Sequence, residues 1–510
     1  MTPLPAPPAP SFDALLACWV QLRPDAAALR WRDPGGDGDD AVWARLSFAE
    51  LAQRVDAIAH TLSEARLQPG ARVAWLGLNH PAQIALLFAL ARLGAVLVPL
   101  NHRLSPAEWA AVLHDCAPAL LLHDAHLADA AQALARATGT RALPVQALPA
   151  HTDQHTPGVG STSHPLLLVY TSGTTGAPRG AVHTQGNLLA NMAIAAQVQG
   201  MDARDTVLTV LPLFHVGGLC IQTLPALSVG AQVLLFTRFD ATATLHSIQH
   251  DRPTLTLQVP ATLQALTTHP GWSGTDLGSL RAIWAGSSLL PAPLIEACHA
   301  RGVPVCNVYG STETGPFSIA LPPTHARSHL GSCGWPAPGV EVSLREPQGA
   351  PVDAGTVGEV WVRAPNVARR YWPDLPACDA DGFFHSGDLA RQAPDGSVTV
   401  VGRAKDMLIS GGENIYPAEI ELLPTQHPLV AECAVVGQDD ARWGEVVVAV
   451  VVLRDGAGED WAPVLQRFLE GRLARYKWPR HWHRLDALPR TALGKVQKPA
   501  LKALLGAPQA

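Results

Sequence analysis

Charged side chains are scarce in this chain. They make up 16% of its 510 residues, and 37 Lys/Arg against 43 Asp/Glu leave a formal net charge of −6. That balance offers no general attraction for nucleic acid. The eight cysteines include no CxxC pair, so they read as reduced thiols of a cytoplasmic protein. No repeat of fixed period occurs, which excludes solenoids and propellers. No GxSxG elbow is present, so His385, although next to Ser386 and near Asp388, lacks the signature of a serine hydrolase. The opening MTPLPAPPAP has neither the basic nor the apolar region of a signal peptide and reads as a loose proline-rich arm.

Apolar residues, by contrast, are plentiful at 47%, enough for large buried cores. A chain this long is expected to divide into two or more domains. Val207 to Phe236 carries no Asp, Glu, Lys or Arg and is long enough to cross a bilayer. Pro212, Gly217, Gly218, Pro225 and Gly230 interrupt it and His215 sits inside, so short buried strands and a helix explain it better than an integral membrane segment. Strand-length apolar runs such as Leu166–Tyr170, Gln232–Phe236 and Val303–Tyr309 alternate with helix-length segments, the pattern of an α/β fold. Residues 146–164 read as a surface connection. Near residue 403 the pattern changes. Strand candidates Glu432–Val436 and Val446–Leu453, a short helix opened by Pro417 and a helix from Asp460 suffice for a small α+β domain of about a hundred residues. The expected division is a large domain, 1–402, and a small one, 403–510. From Arg467 to Lys502 the tail carries ten Lys/Arg against two Asp/Glu, either a solvated face or a patch for a phosphorylated ligand.

Chemistry concentrates first at LLLVYTSGTTGAPRGAV, residues 166–182. Ligands of open α/β sheets bind beyond the carboxyl ends of strands. Gly173, Gly176 and Gly180 let backbone N–H groups turn toward an anion. Ser172, Thr174 and Thr175 add hydroxyl donors, and Arg179 adds a charge-assisted bond. Polyphosphate is the natural guest, although the Walker A pattern is missing because no Lys follows the last Gly.

The decapeptide Thr171 to Gly180 resembles the phosphate loop of the adenylate-forming ligases, the superfamily of acyl-CoA synthetases, peptide-synthetase adenylation domains and luciferases. That family usually has Lys where this chain has Arg179. Further motifs resemble the family's in the same order. In VYGSTETG, residues 308–315, the resemblance implies that Tyr309 stacks on adenine beside Gly310, that Thr312 contacts the α-phosphate and that Glu313 holds Mg²⁺. In HSGDLA, Asp388 accepts the ribose hydroxyls. In GRAKD, Arg403 reaches ribose or phosphate and Lys405 is the hinge. In PRTALGKVQK, residues 489–498, Lys495 matches the catalytic lysine of adenylation. The implied fold is the adenylate-forming one, a large layered domain with a small mobile C-terminal domain. The implied cofactors and co-substrates are ATP, Mg²⁺ and coenzyme A.

LPLFHVGGL, residues 211–219, resembles the motif beside the acyl pocket. Amino-acid-activating relatives carry Asp after the Phe to pair with the substrate ammonium; here His215 stands there, which argues against an amino acid. By itself His215 could be a satisfied core histidine; the resemblance implies a gate or pocket wall, with Val216, Gly217, Gly218, Val259, Ala285 and Gly286 as pocket candidates. Their small apolar character suits an apolar fatty or aromatic acid, with glycines leaving room. No cationic residue among them would bind a second carboxylate. SGGENIYP resembles the pantetheine tunnel of CoA ligases, placing Ser410, Gly411, Gly412, Glu413 and Asn414 beside the thiol arm. YKWPRHW resembles the stretch that meets the CoA nucleotide, through Tyr476, Lys477 and Arg480. The expected activity is thioester formation through an acyl-AMP intermediate. The alternatives are an acyl-AMP-forming enzyme serving a carrier protein, and a catalytically silent nucleotide-binding homologue. A homodimer is the usual state of a soluble oligomer.

Overall fold

A computed structural model describes residues 10–32, 43–171, 179–286, 290–410, 413–440, 442–491 and 495–506. Two large sheets build the N-terminal domain. In the first, Val305–Tyr309, Ala282–Ala285, Leu255–Gln258, Thr206–Thr209, Gln232–Leu235 and Ala27–Arg32 run parallel in that spatial order. Antiparallel strands Ile319–Ala320 and Trp335–Pro336 extend one edge, and Trp43–Ser47 closes the other. Parallel strands are covered on both faces, and the apolar Ala282–Ala285 (AIWA) is buried along its whole length. The segment 207–236 contributes two of these strands joined by short helices. Among the described residues no helix is long and apolar enough to cross a membrane.

The second sheet has the order Leu375–Pro376, Arg370–Tyr371, Arg179–Thr184, Pro165–Thr171, Val96–Leu100, Arg72–Leu76, Leu120–His123, Ala142–Pro144. Helix Pro81–Leu93 (PAQIALLFALARL) is apolar all round and every residue is buried, as such a sequence requires. Pro81 opens it and Gly94, in the left-handed region at φ 65°, ends it. The 146–164 connection holds no strand or α-helix. It is nonetheless pinned, since the Val159 and Gly160 N–H groups both donate to the Arg92 carbonyl at 2.9 Å.

A four-stranded antiparallel sheet, Glu341–Arg345, Val357–Arg363, Phe384–Gln392 and Val398–Arg403, leads to the small domain. There Glu413–Ile415, Leu408–Ser410, Gly444–Leu453 and Val430–Asp440 pair antiparallel, and His481–Arg484 adds a parallel strand to Gly444–Leu453. Helices Pro417–Glu421 and Trp461–Phe468 lie where the proline and Asp460 predict them. The strands run longer than their apolar cores because polar ends such as Gln438–Asp440 continue the ladder.

Candidate active site

The carboxyl end of strand Val305–Tyr309 and the turn after it meet residues of the second and third sheets. Tyr309 ends its strand and Gly310 follows. A Cβ on Gly310 would collide with the Pro316 carbonyl oxygen, so the turn requires glycine. The one-turn 3₁₀ segment Thr312–Thr314 then presents Glu313. This corner is held from three directions. His183 Nε2 lies 2.8 Å from the Thr312 carbonyl; facing an acceptor, it donates, so Nε2 carries the proton. The Ala368 N–H donates to the Glu313 carbonyl at 2.7 Å. Asn366 Nδ2 donates to the carbonyls of Thr314 and Phe317 at 2.8 and 3.1 Å. His183 is fully buried, and loss of hydration drives its pKa down to about 4.

The Glu313 carboxylate accepts a 2.9 Å hydrogen bond from the Tyr371 hydroxyl on Oε1. No described residue donates to its other oxygen. A hard carboxylate oxygen suits Mg²⁺, which takes one or two protein carboxylates and completes its shell with substrate phosphates and water. The described residues hold no cluster of three or more metal-ligating side chains.

Ser172, Gly173, Thr174, Thr175 and Gly176 lie outside the described residues, as do Gly411 and Gly412. The strands flanking the phosphate loop are described. Thr171 pairs with Arg179 in an antiparallel hairpin, so the loop joins two strands of one sheet and does not lead into a helix. The Arg179 guanidinium lies over the Tyr371 ring, 5.9 Å from its centroid.

Tyr309, Asp388 and Arg403 form one unit. The Tyr309 hydroxyl donates to Asp388 Oδ2 at 2.8 Å, and Arg403 Nε lies 2.8 Å from Oδ1. Burial raises the Asp388 pKa, against the opposing pull of Arg403, Tyr309 and Lys495. Burial likewise raises the Tyr309 phenol well above its ordinary value. The small domain brings Lys495 to this unit. Lys495 is exposed as a residue; partial loss of hydration and then repulsion by Arg403 lower its pKa, while Asp388 and Glu313 pull the other way. Lys405, on the one-turn segment Ala404–Asp406 that follows the last strand of the large domain, adds a weaker repulsion.

On the acyl side, His215 caps the short helix Val216–Gly218, its Nδ1 accepting from the Gly217 N–H at 3.0 Å. Burial, then the nearby Lys495 cation, hold its pKa down to about 4, so it is neutral at pH 7. The glycines answer close backbone approach rather than leaving open space. A Cβ on Gly218 would strike the Pro212 carbonyl, and one on Gly286 would meet the Val308 carbonyl at 2.8 Å. Ala285 is buried at its strand end, and Val259 is half-buried before helix Pro260–Thr267. Sequence reading missed Asn79. This buried amide donates to the carbonyls of Leu211 and Phe236 at 3.0 and 2.9 Å and accepts from the Leu213 N–H at 2.7 Å. It fixes the whole LPLFHVGG turn from a distant segment. A cavity of about 200 Å³ lies elsewhere, between Leu290, Ile295, Leu321 and Leu330 of the large domain and Leu422 and Gln426 of the small one. None of the predicted acyl-pocket residues lines it.

The described residues of the expected CoA elements lie on the small domain. Ser410 pairs with Glu413 at the base of a hairpin on the small-domain sheet, with Asn414 opposite Ile409. Lys477, expected to meet phosphate, donates to both oxygens of Glu419 at 2.8 and 2.7 Å. A lysine this near a carboxylate on its own domain is satisfied locally. Arg480 lies over the Trp443 ring at 4.5 Å, while Tyr476 is exposed.

The family model for AMP-binding enzymes matches residues 16–372, and that for the AMP-binding enzyme C-terminal domain matches residues 419–495. The chain belongs to the AMP-binding enzyme family. It is 46% identical over 477 residues to an indoleacetate–CoA ligase of Aromatoleum aromaticum, covering 90% of this chain and 93% of the relative. It is 41% identical to a feruloyl-CoA synthase of an Amycolatopsis species over 464 residues, 90% of this chain and 94% of the relative. Among solved structures, o-succinylbenzoate CoA synthetase from Bacillus subtilis, in complex with its acyl-adenylate intermediate, superposes with a TM-score of 0.85 at 31% identity, covering 98% of this chain and 99% of that one. The adenylate-forming fold and its two-domain plan are thereby those of this AMP-binding enzyme.

Proposed function

We propose that this AMP-binding enzyme converts an apolar aromatic carboxylic acid to its CoA thioester through an acyl-AMP intermediate, releasing AMP and pyrophosphate. The observation that carries the reading is the joining of Tyr309, Asp388 and Arg403 beside the turn that presents Glu313; the charge of Lys495, from the small domain, acts on Asp388 and Glu313. In the first step a substrate carboxylate oxygen attacks the α-phosphorus of ATP and pyrophosphate leaves. Lys495 offsets the charge that builds there, Thr312 and the 171–180 loop position the phosphates, and Arg179 meets the departing pyrophosphate. Glu313 would hold Mg²⁺, which when bound neutralises phosphate charge. Tyr309 supplies an aromatic face for adenine, and Asp388 with Arg403 binds the ribose.

The second step needs a thiol where Lys495 now stands. Rotation about Lys405, the proposed boundary of domains 1–402 and 403–510, would withdraw Lys495 and bring Ser410, Glu413 and Asn414 with their loop to the acyl-AMP carbonyl. The Lys477–Glu419 pair would then face the cleft from a different side, with Tyr476 and Arg480 available to the CoA nucleotide. Neutral His215 and the Val216–Gly218 turn wall the acid. The aromatic assignment follows the two CoA-ligase relatives and the apolar wall. The test is a panel of indoleacetate, ferulate, 2-succinylbenzoate and medium-chain fatty acids with MgATP and CoA, read by mass spectrometry. Thioester and AMP from an aromatic acid are expected; ATP–pyrophosphate exchange with every acid tried but no thioester would overturn the CoA assignment.

A further inference from the structure

The stretch ARRYW, residues 368–372, matched none of the motifs read as functional, yet it wraps the Glu313 corner. Tyr371 pairs with Ala181 on the outer side of the phosphate-loop hairpin, and the Trp372 N–H donates to the Gly180 carbonyl at 2.7 Å. On the other side the Ala368 N–H holds the Glu313 carbonyl, and the half-buried Tyr371 side chain reaches the Glu313 carboxylate at 2.9 Å. The same ring carries the Arg179 guanidinium on its face at 5.9 Å. One residue thus touches both charges expected to handle the triphosphate, a cation through its π face and an anion through its hydroxyl.

We propose that Tyr371 is a positioning residue for adenylation, holding one oxygen of Glu313 so that the other points to the metal while keeping Arg179 in register with it. The proposal rests on the adenylating function above. It explains why Glu313, on a single 3₁₀ turn with freely rotating χ angles, presents a fixed oxygen. It also gives Arg179 a partner, since a planar guanidinium stacks on a ring better than an ammonium does.

Tyr371→Phe tests it, because the ring, the strand pairing and the contact with Arg179 are all retained. Calorimetric titration of Mg²⁺ into enzyme saturated with a non-hydrolysable ATP analogue should show affinity weakened by roughly tenfold, the loss of one hydrogen bond to a charged group. ATP–pyrophosphate exchange should slow by a similar factor, while conversion of supplied acyl-AMP to thioester stays at the wild-type rate. In a Glu313→Gln background the Tyr371→Phe change should add nothing further. Unchanged Mg²⁺ affinity, equal slowing of both half-reactions, or the same added loss in the Glu313→Gln background would each overturn the proposal. A wild-type enzyme that exchanges pyrophosphate with no acid would instead defeat the functional reading, and the Mg²⁺ titration would still decide the role of Tyr371.

Discussion

Asp388 and Arg403 face each other across the last two strands of the large domain, paired in register, with Arg403 Nε 2.8 Å from Asp388 Oδ1. Arg403 lies two residues before the proposed hinge at Lys405, so the group expected to hold the ribose also anchors the base of the domain that must move. Ribose is present in ATP and in acyl-AMP alike. Replacing Asp388 with Ala should therefore damage both half-reactions. The expected loss is on the order of tenfold to a hundredfold in each, from about 1.5–3 kcal/mol for a hydrogen bond to a charged group. Separate assays of pyrophosphate exchange and of thioester formation from supplied acyl-AMP check it. A loss confined to the first step would remove Asp388 from the ribose.

Lys495 should behave differently. It comes from the small domain, and in this arrangement its charge acts on Glu313 and Asp388. Lys495→Ala should lower adenylation on the order of 10²-fold or more and leave thioester formation from supplied acyl-AMP intact. Equal losses in the two assays would contradict a lysine that withdraws between steps.

The α/β plan, the two-domain division and most strands were legible because long apolar runs and their breakers report burial directly. The order of short motifs marked the cleft. What escaped the sequence were single polar residues whose partners are far along the chain. Asn79 bonds Leu213 across 134 positions, His183 bonds Thr312 across 129, and Tyr371 meets Glu313 across 58. Nothing in their local sequence distinguishes them from core or surface polar residues. Lys477 shows the complementary case, a partner that the local sequence does not announce. A lysine in a basic tail looks free for phosphate, but folding supplies it with Glu419.

Buried His183 ties stability to pH. Its pKa is about 4 in the folded protein against an ordinary 6.5, so below pH 6.5 the unfolded chain takes up a proton that the folded chain refuses. Stability is full above pH 6.5 and falls as pH drops from 6.5 to about 4, by up to about 3 kcal/mol from this residue. His215 adds to the same trend. Denaturant unfolding at pH 7.5 and pH 5 should show the loss. His183→Asn, although less stable at pH 7.5, should show a smaller difference between the two pH values. An unchanged difference would mean that His183 titrates normally.

Arg179 is the cation expected at the phosphate loop, and its setting decides whether lysine could replace it. Its backbone is fixed by pairing with Thr171, and its guanidinium spreads over Tyr371. Lysine would keep the charge but give up the planar fork, losing one of two bonds to pyrophosphate and the ring contact. A single charge-assisted bond is worth about 1.5 kcal/mol, so Arg179→Lys should slow pyrophosphate exchange by roughly tenfold. Thioester formation from supplied acyl-AMP, in which no pyrophosphate takes part, should be unaffected. The apparent KM for pyrophosphate in the exchange assay should rise together with the rate loss, because the contact is made to pyrophosphate itself. An Arg179→Lys enzyme with wild-type exchange kinetics would show that charge alone is needed and that the stacking on Tyr371 is incidental.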